Sequence, residues 1–140
     1  AATMGSQDAA PQATFSAEAS RTDGHISLNH LGGDILTKGN TKIEIASGTP
    51  LITGYVNMSN VTFAPESNYL RPGDVAYIEF EISLGYRQDE YGNWTKDLPI
   101  ADFNGNEIDH TVPVGTPFRL TIIDTVSGQT VYSKQLPMNP

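Results

Sequence analysis

The chain has 140 residues, a formal net charge of −8, 38% apolar and 17% charged residues, and no cysteine. That length fits one domain with a core, whereas the charge argues against nucleic acid as a partner, because phosphate contacts need clustered Lys and Arg and the basic residues here are few and scattered. Disulfides and thiolate zinc sites are excluded, an anionic membrane surface is disfavoured, and no apolar run is long enough to span a bilayer.

Residues 1–12, AATMGSQDAAPQ, read as a flexible polar linker ahead of a single domain over 13–140. The start without an initiator Met leads us to expect a mature or trimmed form of a longer precursor. From residue 13 on, strand periodicity dominates. ATFSAEAS places Phe15, Ala17 and Ala19 on one face, and HISLNHL places Ile26, Leu28 and His30 together. KIEIA aligns Ile43 with Ile45. LITGYVNM and NVTFA read as short strands, or as one bent strand with a bulge near Gly54.

The clearest signal is DVAYIEFEISLGY. Ala76, Ile78, Phe80, Ile82 and Leu84 share one face, with Tyr77, Glu79, Glu81 and Ser83 on the other, and the turn residues of RPGD precede it. PFRLTIIDTV repeats the rule with Phe118, Leu120 and Ile122 inward. Ser127-Gly128 then reverses the chain into QTVYSKQL, which calls for Gly128 at positive φ. Trp94 falls in what reads as a polar loop, RQDEYGNWTKD. About eight short strands with regular turns predict an all-β fold, an antiparallel β-sandwich of immunoglobulin-like or Greek-key type.

Chemistry-bearing residues are sparse. His30 and Asp34 flank Gly32 and Gly33 and could belong to a catalytic or metal site. The same residues suit a strand-to-turn joint, with a half-buried histidine, glycines for the tight turn and an aspartate bonding backbone N–H. His25 falls on the opposite strand face, and His110 is distant in sequence. We read the segment as a joint. DFNGNEID, residues 102–109, resembles part of a calcium loop through Asp102, Asn104 and Asn106, but Glu107 stands where the loop glycine belongs and Pro113 where the bidentate acid belongs. An Asn-Gly hairpin turn accounts for the same residues. Neither a nucleophile elbow nor a phosphate-binding glycine loop occurs, so we expect neither a catalytic residue nor a cofactor. Three sequons place candidate N-glycosylation at Asn57, Asn60 and Asn93.

With the strands placed, ISLNHLGGDIL (residues 26–36) resembles the I-x-x-x-H-x-G-G-D-x-L signature of archaeal type IV pilins. LRPGDVAYIEFEI is similar to that family's turn and long alternating strand, and FRLTIIDTVSGQTVYSKQL to its closing hairpin. The likeness covers most of residues 24–136. It implies a β-headpiece carried on a hydrophobic N-terminal helix that is missing from this sequence. That helix would be the route to the membrane before assembly and to other pilin subunits in a homo-oligomeric filament. It further implies an extracellular, cell-surface location and a structural role for the His30, Gly32, Gly33 and Asp34 motif, without catalysis. Loops 57–69, 86–97 and 101–110 carry exposed aromatics and amides, and Tyr86, Tyr91 and Trp94 are candidate surface contacts. The competing expectation is a cell-surface β-sandwich module that binds carbohydrate or another ligand.

Overall fold

The computed structural model describes residues 9–48, 51–104 and 107–140, with backbone alone at 104 and 107–110. The chain is mostly β. Its strands are β1 (Ala13–Ser20), β2 (His25–Gly33), β3 (Leu36–Thr37), β4 (Thr41–Ser47), β5 (Ile52–Tyr55), β6 (Val61–Ala64), β7 (Tyr69–Leu70), β8 (Val75–Glu79), β9 (Glu81–Gln88), β10 (Trp94–Asn104), β11 (Glu107–Pro113), β12 (Pro117–Asp124) and β13 (Thr130–Asn139). Eight strands form one sheet curled like a half-barrel, in the order β5-β4-β12-β13-β1-β2-β8-β6. A three-stranded sheet β11-β10-β9 and a two-stranded pair β3-β7 accompany it.

Period-two patterning explains which side of the curl is dry. Phe15 and Ala19 of β1, Ile26 and Leu28 of β2, Ile43 and Ile45 of β4, and Phe118, Leu120 and Ile122 of β12 all lie in one buried cluster. The Leu, Ile and Phe side chains among them each contribute about 1.5–3 kcal/mol when fully buried. The residues between them point to solvent or to the rim, as alternation requires. LITGYVNM and NVTFA become two separate strands, β5 and β6, at opposite edges of the large sheet. The β12–β13 reversal has Gly128 at φ 75°, as its turn demands.

Three expectations need correction. The sheet is not wholly antiparallel: β1 pairs with β2 in antiparallel fashion but with β13 in parallel, through Ala19↔Met138 and Ser20↔Asn139. β1 thus joins β2 to β13 in the strand order, meeting β13 only at its last two residues. The long alternating strand is also broken at Phe80. β2 starts at His25, whose partner is Glu79, so no ladder partner remains on that side beyond β8. The Phe80 N–H bonds the Gly24 carbonyl, and the chain then pairs with β10 instead. Ala76, Ile78 and Phe80 are buried, but Ile82 and Leu84 are exposed: past the change of partner the core is continued by β10, through Ala101 and Phe103, and not by β9. Finally, Trp94 does not sit in a loop. It opens β10, opposite Gln88, near the tip of a β9–β10 hairpin.

The small sheet is tied to the same core. β9 continues from β8, and β11 packs beside β5. Ala101, Phe103 and Val112 are buried with the main cluster, and Phe103 packs on Phe80 with ring centroids 5.2 Å apart. The lead-in expected over 1–12 meets the fold at its end: Ala10 is buried, and Gln12 is bonded to Asp34 through both its N–H and its carbonyl. Residues 1–8 lie outside the described residues.

Candidate functional site

The conspicuous polar cluster sits where β2 ends. Phe15 pairs with His30 across the β1–β2 ladder, and their rings lie 5.0 Å apart. His30 is only 1% exposed. Its Nε2 lies 2.6 Å from the backbone carbonyl oxygen of Asp34. A carbonyl only accepts, so this bond places the proton on Nε2. Nδ1 is buried with no hydrogen-bond partner. The Asp34 carboxylate turns the other way and accepts the Gln12 N–H at 2.9 Å, while the Asp34 N–H donates to the Gln12 carbonyl at 2.8 Å. Imidazole and carboxylate therefore do not meet as an acid–base pair: His30 holds the Asp34 backbone, and Asp34 holds the Gln12 backbone.

The two glycines between them differ. Gly33 has φ 105°, and a Cβ there would overlap the Gln12 carbonyl oxygen and lie 2.8 Å from the Ala13 Cα. Gly32 has ordinary φ and open space where a Cβ would stand. The turn that precedes β8 closes on the same place. The Gly73 N–H donates to the His30 carbonyl at 2.8 Å, and the His30 N–H donates to the Asp74 carbonyl at 3.0 Å. Asp74 in turn accepts the Arg71 N–H at 2.9 Å. The H-x-G-G-D and R-P-G-D segments, some forty residues apart in the sequence, thus interlock through backbone bonds.

The sequon residues occupy turns. Asn57 caps the 3-10 turn 58–60, its side chain accepting the Ser59 N–H at 3.0 Å and the Ser59 hydroxyl at 2.9 Å. Asn60 lies in that same turn, half-buried. Asn93 is exposed in the hairpin tip, where the Asp89 carboxylate accepts the N–H groups of both Tyr91 and Asn93 at 2.9 Å. Tyr86, Tyr91 and Trp94 are all exposed on this hairpin. One bidentate ion pair crosses it, Arg87 to Asp97 at 2.6 and 2.9 Å, and the guanidinium holds the Asp97 carboxyl below the usual carboxylate range.

Of the suggested calcium loop, Asp102 stands on β10 opposite Glu81. The side chains of Asn104, Glu107 and Asp109, and all of Asn106, lie outside the described residues, as does the side chain of His110. Among the described residues, no three His, Asp or Glu side chains converge as a metal site.

One feature escapes the sequence. On the outer face of β2, β8 and β6 a shallow depression is lined by Asp23, His25, Ser27, Thr62, Tyr77 and Glu79. His25 and Tyr77 stand edge to face at 4.7 Å. Alternation puts His25, Ser27, Thr62, Tyr77 and Glu79 on the outer faces of their strands, with Asp23 in the turn before β2, but only the pairings His25↔Glu79, Ser27↔Tyr77 and Thr62↔Tyr77 bring them together. No family model, curated protein or solved structure matches the chain.

Proposed function

We propose that the chain is the extracellular headpiece of a type IV pilin-like subunit of the archaeal kind, a structural and non-enzymatic role at the cell surface. The observation that carries this reading is the interlock at His30. The H-x-G-G-D segment, in which the resemblance is fairly specific, and the R-P-G-D turn, which also resembles the family's, bind each other through backbone hydrogen bonds, and the histidine and aspartate spend their side chains on backbone groups. Such a cluster holds a scaffold, with imidazole and carboxylate each bonded to backbone and not to one another.

The strand order supports an immunoglobulin-like sandwich for this headpiece. The run β1-β2-β8-β6 follows the A-B-E-D order of such folds, and β13-β12-β4-β5 follows G-F-C-C′, with β1 and β13 joining the layers in parallel. The β9–β11 sheet is then an insertion between the E and F strands. In this reading a hydrophobic helix preceding the domain would carry filament packing, other pilin subunits are the partners, and the sequons Asn57, Asn60 and Asn93 are where surface glycans would attach.

Two measurements test it. The full reading frame should encode a basic leader and an apolar helix upstream of Ala1. Antibodies against this domain should decorate surface filaments in electron micrographs of the source cells, and deletion of the gene should remove the decorated filaments. A catalytic domain upstream, or filament-free staining in the native host, would overturn the proposal.

A second reading, a ligand-binding surface module, draws on the depression at His25 and Tyr77. Aromatic edges with flanking carboxylates and hydroxyls offer a stacking surface and acceptors for sugar hydroxyls. Saturable glycan binding that disappears in Tyr77→Ala would favour it.

A further inference from the structure

The β9–β10 hairpin has two unlike faces. The register pairs Ala101 with Ile82, Pro99 with Leu84 and Trp94 with Gln88, and the Lys96 ammonium lies 5.7 Å from the Tyr86 ring centroid. Directly paired residues share a sheet face and alternate residues of a strand do too, so Ile82, Leu84, Tyr86 and Gln88 lie on one side with Ala101, Pro99 and Trp94, and Lys96, at the register shift, reaches that side over Tyr86. The other side carries the Arg87–Asp97 ion pair together with Glu81 and Ser83.

The first side begins inside the core at Phe80, Phe103 and Ala101 and is exposed from Ile82 outward. Ile82 is 46% exposed, Leu84 44%, Tyr86 63% and Trp94 67%, with Tyr91 at 81% on the adjoining tip. Scattered exposed apolar residues need no explanation, but a contiguous row on one strand face does. We propose that this face is a self-association surface, on which the same face of a second copy packs as one sheet upon another.

Charge and area both point to a second copy. Each chain carries a net charge of −8, so most surfaces of two copies repel. This face bears no carboxylate among its β9 and β10 positions, and its one charge, Lys96, already lies over an aromatic ring. It is therefore a place where two acidic copies can approach closely. A two-fold contact needs a patch complementary to itself, and a row of aliphatic and aromatic side chains with a single charge can meet its own copy. Tyr86 and Trp94 of the face and Tyr91 of the adjoining tip, side chains of about 150–250 Å² each and largely exposed, offer with Ile82 and Leu84 on the order of 500 Å². Doubled, that is about 1,000 Å², the least that a specific interface requires. The dimer is accordingly weak and dilution-sensitive, and screening of the net charge strengthens it.

This contact goes beyond the pilin reading and needs neither helix nor filament, so its failure leaves that reading standing. Trp94 is the sole tryptophan, and its fluorescence reports the face directly. On concentrating the wild-type protein, the emission should shift to the blue as the mass measured by sedimentation rises from 15.1 kDa toward twice that value. The rise should be larger at 0.5 M than at roughly 0.02 M salt. Leu84→Glu and Tyr86→Glu should hold the protein monomeric with unchanged circular dichroism, whereas Arg87→Gln on the opposite face should keep the wild-type concentration dependence. An emission that ignores concentration up to the millimolar range would overturn the proposal. So would Glu variants that still dimerise, or glycan binding quenched by Trp94→Ala in a protein that stays monomeric.

Discussion

At the scale of single residues, the end of β2 holds two glycines that look alike but differ. Gly33 has a left-handed φ and a backbone neighbour where a side chain would begin. Gly33→Ala should therefore lower stability by about 2 kcal/mol or more, while Gly32→Ala should change it by less than about 0.5 kcal/mol. Urea unfolding of the two variants checks this, and equal losses would refute the account of the bend. His30 makes a different kind of contribution, filling the core beside Phe15 and holding the Asp34 carbonyl. Truncation to Ala removes packing and strands a carbonyl acceptor, for a combined cost of about 2–4 kcal/mol. The distinction between the glycines is invisible in the letters Gly-Gly. It depends on where the Gln12 backbone passes, and that strand is brought there by pairing.

At the scale of elements, the β8–β9 stretch shows one alternating pattern doing two jobs. Phe80→Ala should cost about 3–4 kcal/mol, since the ring packs on Phe103 within the core. Ile82→Ser, two residues on and in phase, should cost less than about 1 kcal/mol, because that side chain is at the surface. Thermal melts of the two variants side by side measure the difference. The ion pair across the hairpin gives a pH signature. Arg87 depresses the Asp97 carboxyl in the folded chain. A depressed carboxyl stabilises the fold above its ordinary pKa, about 3.9, and that contribution is lost as pH falls through the folded value. Both side chains are at the surface, so solvent screens the effect and the stability change is small. NMR titration should place the Asp97 midpoint below the ordinary value in the wild type and return it upward in Arg87→Gln. An unmoved midpoint would show that the pair does not form in solution.

At the scale of the whole molecule, the three-stranded sheet shares its hydrophobic cluster with the large curled sheet through Ala101, Phe103 and Val112. The two should unfold together. Phe103→Ala should lower the single denaturation midpoint seen by circular dichroism, and a separate early transition for the β9–β11 region would contradict that coupling. Much of this architecture was already legible in the sequence. Period-two runs marked Phe15, Ile26, Leu28, Ile43, Ile45, Phe118, Leu120 and Ile122 as interior, and Ser127-Gly128 marked the last reversal, because alternation and turn chemistry are local properties of the backbone. The interlock at His30, the parallel seat of β1 beside β13, the outer-face depression at Tyr77 and the exposure of Ile82 and Leu84 were not legible. Each depends on which strand lies next to which, and so on contacts between residues tens of positions apart. An alternating strand specifies that it has two different faces; only the assembled sheets decide whether the apolar one meets the core, the solvent or another molecule.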